Sequence, residues 1–202
     1  MDYSLATSIA PTTEPLTLAE TRLHLRVDDD LTDQDALISG LIKAAREWTE
    51  NYCRRSWCDR TLVLRMDGFP PYFLLPRGPV RSVTSITYLD AAGDLQTLAA
   101  DQYQADIYST PPRIVPPHGV VWPYTQAGAI NAVSVTYAAG YGTGGSPDDL
   151  SVVPFAVKAA MKLLIGHWYE NRELVSNVQM SEVPMAVKAL LSPYEIRDYG
   201  LE

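Results

Sequence analysis

His167 and Glu170 stand three residues apart, and Glu47 and Glu50 have the same spacing much earlier in the chain. Carboxylates and a histidine facing one another from two helices could hold a pair of metal ions in a bundle. That motif runs Glu-x-x-His, however; here the order is reversed and no second copy exists, so the ligand count falls short. A histidine and a glutamate bonded to nearby polar groups at a helix end is the plainer reading. Gly140-Tyr141-Gly142-Thr143-Gly144-Gly145 satisfies G-x-G-x-x-G, but a dinucleotide site needs the helix to open on those glycines so that its N–H groups meet the pyrophosphate. Ser146, Pro147, Asp148 and Asp149 intervene, and two carboxylates repel phosphate. The segment reads as a hinge. Cys53 and Cys58 share one short segment, CRRSWC; two cysteines cannot complete a four-ligand zinc site, and reduced thiols are expected. His24 and His118 stand in no nucleophile or base motif, and there is no G-x-S-x-G and no P-loop. Trp122-Pro123-Tyr124 could be a partner-binding loop, or could pack against the edge of a sheet.

The chain that must position these residues has 202 of them, 47% hydrophobic and 20% charged, enough for one or two domains with a real core. Its net charge is −8, from 16 basic and 24 acidic residues. The charge divides as −4 over residues 1–60, −1 over 61–145 and −3 over 146–202. No segment carries the basic footprint that phosphate binding requires, which argues against tight sequence-reading of nucleic acid. The start, MDYSLATSIAP, has neither a basic n-region nor an apolar run, so no signal peptide is expected. No apolar segment approaches the roughly 20 residues that span a bilayer, and no membrane partner is expected.

The strongest periodicity lies in Pro154–Glu173. Phe155, Val157, Ala160, Met161, Leu164, Ile165, Trp168 and Tyr169 recur at three- and four-residue steps, and Pro154 suits the first helical turn. A second stripe, Leu37, Ile38, Leu41, Ile42, Ala45, Trp48 and Tyr52, predicts a helix after an N-cap at Thr32, with Lys43, Arg46, Glu47 and Glu50 facing elsewhere. Thr17 and Glu20 have capping-box spacing for a short helix, Leu18 to Arg26, presenting Leu18, Leu23 and Leu25.

Between the two core helices the period changes. Thr61–Met66 alternates, Tyr72–Leu75 is a short apolar run, and Val80–Leu89 is the best strand. A hairpin turn at Asp90–Asp94 offers Gly93 for positive φ. Leu95–Leu98, Tyr103–Ile107 and Ala132–Tyr137 read as further strands. The proline-rich stretch 111–123 is expected to stay out of any central strand, because proline has no ladder N–H. The fold class is therefore α+β: a helical base of antiparallel core helices (17–60 and 150–192) with an inserted β-rich subdomain (61–140). An extended N-terminal arm (1–16) and a C-terminal tail (193–202) complete the division. The tail's Pro193, Tyr194, Ile196, Tyr199 and Leu201 are apolar enough to seek a surface.

The order of these segments is familiar. EPLTLAETRLHLRVDDD and DALISGLIKAAREWTENYCRRSW resemble the N-terminal helices of the head–tail connector (adaptor, or head-completion) family of long-tailed phages and phage-derived gene transfer agents. LPRGPVRSVTSITYLDAAGDLQTL, the VVWP element and VSVTYAAGYG resemble its β insertion; VPFAVKAAMKLLIGHWYENRE and VPMAVKALLSPY resemble its C-terminal helices. The resemblance runs from about Glu14 to Tyr194. It implies a structural particle protein with no enzymatic activity and no cofactor: a ring, commonly a dodecamer, beneath the portal. The implied partners are the portal protein, a head-closure (stopper) or tail-terminator protein, further copies of the chain, and double-stranded DNA in passage without sequence-specific binding. The implied location is the host cytoplasm during assembly, then the head–tail junction of the particle. It also places C-terminal segments at the portal, which would assign that contact to Pro184, Met185, Val187, Leu190, Leu191, Pro193, Tyr194, Ile196, Tyr199 and Leu201. Asp28, Asp29 and Asp30 are candidates for acids lining a DNA channel, where they would deny DNA a charge-neutralising contact; a solvated loop is the plain alternative.

Two other readings predict different behaviour. A helical metal enzyme would use His167, Glu170, Glu47 and Glu50; a small adaptor unrelated to particles would bind its partner through Trp122 and the prolines around it.

Overall fold

The computed structural model describes residues 3–28, 30–142, 150–171 and 184–197. The chain divides into two units, one built on β-sheets (up to Pro11, Asp59–Tyr141 and from Ile196) and one on helices (Thr12–Cys58 and Gly142–Glu195).

The sheet unit begins with the residues read as an extended arm, which form strand β1 (Tyr3–Ile9). β1 pairs antiparallel with β2 (Arg60–Met66), on which Leu62, Leu64 and Met66 alternate inward. The two-residue repeat of a strand puts these three on one face. Their partners across the ladder, Tyr137, Val135 and Val133 of β8 (Val133–Ala139), point the same way and are fully buried. β4 (Val80–Leu89) lies on the other side of β8, and β5 (Leu95–Thr97) closes the order β1-β2-β8-β4-β5. The turn into β5 is as expected: Gly93 has φ +92, and the Asp90 carboxylate accepts from the N–H groups of Ala92 (2.9 Å) and Asp94 (3.0 Å).

A second, three-stranded sheet supplies the other layer of this core. It runs β3 (Phe73–Leu74), β7 (Arg113–Val115), β6 (Gln104–Asp106). Phe73, Leu75 and Ile114 join Leu62, Leu64, Ile86 and Val135 in one buried cluster, and the Tyr137 hydroxyl donates to the Pro76 carbonyl at 2.7 Å. Here the expectation about prolines needs correction. The stretch 111–123 does supply a central strand, β7, paired on both sides. Pro111 and Pro112 precede it and Pro116 and Pro117 follow it, so Arg113, Ile114 and Val115 keep the N–H groups a ladder needs.

In the helical unit, α1 (Leu18–Leu25) starts with the predicted capping box and ends at Arg26 in the left-handed conformation. Its presented face differs from the leucine reading. Leu23 is 82% exposed, while Thr21 and Arg22 are buried. Arg22 reaches the Leu31 carbonyl and the Asp35 carboxylate, each at 2.7 Å. Thr32 caps nothing: it opens a 3-10 turn, and α2 (Asp35–Cys53) begins beyond it with no side-chain cap bond at Gln34. The Arg22 contacts fasten that turn instead.

α2 packs against α3 (Phe155–Glu170), and α4 (Met185–Leu191) packs against α3. The Tyr169 hydroxyl, in the last turn of α3, bonds the Gln34 side chain just before α2, so the two core helices run antiparallel. Ile38, Ile42 and Ala45 of α2 are buried, as are Val157, Ala160, Met161, Leu164 and Ile165 of α3. Phe155, expected in the stripe, is 84% exposed at the open first turn. Arg46 and Glu50, which lie off the apolar stripe, are buried as well.

Candidate functional site

Of the carboxylates and histidine with catalytic or metal-binding potential, Glu50 is the one built into the interior. Glu50 accepts from the Trp57 N–H at 2.8 Å through one oxygen and from Arg46 at 3.1 Å through the other. Arg46 Nε also donates to Glu14 at 2.7 Å, and Glu47 lies 3.5 Å from the same guanidinium. Burial alone would lower the Arg46 pKa; the Glu14 bond and the charges of Glu50 and Glu14 outweigh it and raise the pKa. His167 sits 3.5 Å from the Asn171 amide nitrogen, and Glu170 is exposed at the helix end. Among the described residues, no three His, Cys, Asp or Glu side chains gather as a metal site would require.

The glycine motif has no phosphate cradle in its described part. The Gly140 N–H donates to the Pro79 carbonyl at 2.9 Å, and α3 opens only at Phe155. Thr143 through Asp149 lie outside the described residues. Both cysteines are outside any disulfide and fully buried. Burial pushes the Cys53 thiol up to about 12, which removes thiolate reactivity at neutral pH.

The residues assigned to a portal contact separate into two groups. Val187 and Leu191 are buried within the helical unit, where Cys53 Sγ lies 3.8 Å from the Leu191 carbonyl. The Tyr194 carbonyl accepts from Arg55 Nε at 2.6 Å, and its ring meets Trp57 edge-on at 6.3 Å. Ile196 is buried against Leu74 in the sheet unit. Each of these four is engaged inside its own unit. Met185, 89% exposed, and Pro193 face outward, with Pro184 and Leu190 half-buried. Tyr199 and Leu201 lie outside the described residues, as does Asp29. Asp28 and Asp30 are exposed, their carbonyls accepting the N–H groups of Leu31 and Thr32.

The loop that leads into β8 carries a feature the sequence only hinted at. Trp122 stacks on Phe69 at 5.0 Å and leans on Phe73 at 5.6 Å, while Phe69 meets Tyr88 at 5.5 Å. This aromatic cluster anchors the loop. Val121 and Tyr124, the latter 87% exposed, are left in solvent, as is Ile130 further along. The loop is fastened on both sides: Thr125 bridges to Asp90, and the Asn131 N–H donates to Asp67 at 2.7 Å. The VVWPY spelling held the signal, one inward indole between outward apolar neighbours. An aromatic anchor under a displayed apolar rim can serve recognition, but it offers no catalysis.

Residues 15–90 match the family model described as phage gp6-like head-tail connector protein. Among solved structures, the chain is similar to one from the "Neck of empty GTA particle computed with C6 symmetry", at 27% identity, TM-score 0.77 and 98% coverage of both chains. A chain from the "Virion of native gene transfer agent (GTA) particle" is 25% identical, with TM-score 0.77 and 97% of each chain covered. A third, from the "Neck of native GTA particle computed with C12 symmetry", is 26% identical, with TM-score 0.73 over 99% of this chain and 98% of that one. Among curated proteins there is no match.

Proposed function

We propose, for a chain that stands among the head–tail connectors of phage-derived particles, that it forms a ring of like copies at the head–tail junction and works by being held there. The observation that carries this reading is similarity to particle-neck chains over nearly the whole length of both partners. The carboxylates and thiols engaged inside the fold fit a role with no chemical step.

Within that role, Pro184, Met185 and Pro193 are the proposed contact with the portal, together with Tyr199 and Leu201, which lie outside the described residues. Val187, Leu191 and Tyr194 pack inside the helical unit that carries Pro184, Met185 and Pro193. The loop bearing Val121, Tyr124 and Ile130 is the proposed seat for a head-closure or tail component. A ring of twelve is the proposed copy number. Asp28 and Asp30 are proposed to face a channel through which double-stranded DNA passes; an acidic wall leaves the phosphate counterions undisturbed and gives DNA nothing to hold.

Deleting the tail from residue 184 onward would remove buried Val187 and Leu191 and so confuse unfolding with lost binding. The better test is Met185→Glu with Pro193→Asp, read by particle assembly and by co-purification with the portal, with circular dichroism to show an intact fold. Loss of at least tenfold in portal association is expected. Unchanged association would remove the portal assignment, and absence of the protein from intact particles would remove the connector reading itself.

A further inference from the structure

We propose that β1 is an exchangeable arm: in the assembled ring, residues Tyr3–Ile9 of one copy add to the β2 edge of the neighbouring copy, replacing the pairing each chain makes with itself. The inference rests on the ring reading given above. Its subject, the strand that joins the copies, goes beyond that reading.

Four observations point to it. β1 is separated from its partner β2 by the whole of residues 12–58, which belong to the helical unit. It is the outermost strand, so releasing it breaks one ladder and leaves β2 bound to β8. Only Leu5 of its seven residues packs against the core, the other six being exposed. Backbone hydrogen bonds thus carry most of its attachment, and these are identical in either copy's sheet. Finally, YSLATSI contains no charge and no proline. Edge strands that must stay single are commonly guarded by one or the other. In a chain of net charge −8, a neutral arm also approaches a second copy without repulsion.

The hinge is defined by what anchors the chain after it. Glu14 is tied to Arg46 at 2.7 Å and Leu16 is buried, leaving Ala10, Pro11, Thr12 and Thr13 free to redirect. Four extended residues reach about 14 Å, so the neighbour's β2 edge must come that close to the giver's Glu14. A heterologous ring meets such a condition for every copy at once, because each gives one arm and receives one. Exchange of identical contacts costs little.

The register supplies the test. Ala6 faces Val63 and Ser4 faces Arg65 across the β1–β2 ladder, a spacing of about 4.5–5.5 Å that a disulfide can bridge. Cys53 and Cys58 are buried and do not compete. Particles are assembled with the Ala6→Cys, Val63→Cys double variant, oxidised, denatured and run without reductant. The expected result is a ladder of covalently linked chains. A mixture of Ala6→Cys chains and Val63→Cys chains, in which no chain can close on itself through this pair, is expected to give linked dimers. Monomers carrying an intrachain disulfide, in rings that are otherwise present, would overturn the exchange and leave the connector reading standing. Absence of the chain from particles would overturn both. If neither this pair nor Ser4→Cys with Arg65→Cys forms any bond in the ring, β1 has left β2 altogether and the exchange is again overturned.

Discussion

Arg46 and Glu14 meet at 2.7 Å across 32 residues of sequence, and the same guanidinium neutralises Glu50, which is only 1% exposed. Arg46 thereby ties the segment before α1 to the middle of α2 and makes a buried carboxylate tolerable. Replacing Arg46 with Met would leave Glu50 buried without its cation. The expected loss is about 3–5 kcal/mol of unfolding free energy, read by urea denaturation. Arg46→Met combined with Glu50→Gln should recover part of that loss.

The capping box gives α1 a pH dependence. The Thr17 N–H bonds the Glu20 carboxylate at 3.1 Å and is the largest cause holding its pKa below the usual 4.5. A folded-state pKa that is depressed stabilises above the unfolded value and is lost as pH falls through the folded value. Amide exchange in α1 should therefore accelerate as pH drops below about 4.5, once corrected for intrinsic exchange. Glu20→Gln should abolish that dependence. Thr17→Ala should cost about 1 kcal/mol at neutral pH.

Neither cysteine should react while the chain is folded. Burial of both, with the Cys53 thiol raised to about 12, leaves almost no accessible thiolate at pH 8. Iodoacetamide should label neither in native protein and both in urea. Labelling of native protein at the rate of a free thiol would contradict the packing described.

The loop after β7 should separate stability from recognition. Trp122→Ala removes the indole stacked on Phe69 and should cost about 3 kcal/mol or more. Val121→Ser with Tyr124→Ser alters exposed side chains and should change stability by under about 0.5 kcal/mol. If this loop is the proposed seat for a head-closure or tail component, the same variant weakens that attachment, measured as tailless particles. Full tail attachment with both serines in place would free this loop from that role.

How much was legible follows from which forces act locally. The stripes Ile38–Ile42–Ala45 and Val157–Met161–Leu164 reveal a core because helical periodicity is written into neighbouring residues. The capping box at Thr17 and the turn at Gly93 are equally local. Arg46 and Glu50 lie off the apolar stripe yet are buried, because their burial depends on Glu14 and the Trp57 N–H, which no periodicity connects to them. Leu23 and Phe155 erred the other way: each lies on an apolar pattern that the packing leaves in solvent. β7 was hidden by the prolines that bracket it, since three residues suffice for a strand when both neighbours are already in place. The residues assigned to a portal contact mix buried and exposed positions for a similar reason. Val187, Leu191 and Ile196 are apolar because this chain buries them, and composition alone cannot separate an internal seat from an external one.

The five-stranded sheet has one further consequence. β1 leaves it at Ile9, β2 enters at Arg60 and β8 departs after Ala139, residues aligned at one end of the ladder. The opposite end of the ladder holds the Asp90 turn and the loop of Trp122 to Asn131. Those loops can lengthen, shorten or change chemistry without shifting a strand register. That end of the sheet unit is in this sense an exchangeable fitting, open to new loop chemistry while the ladder keeps its pairing. Divergence among related chains is expected to concentrate there.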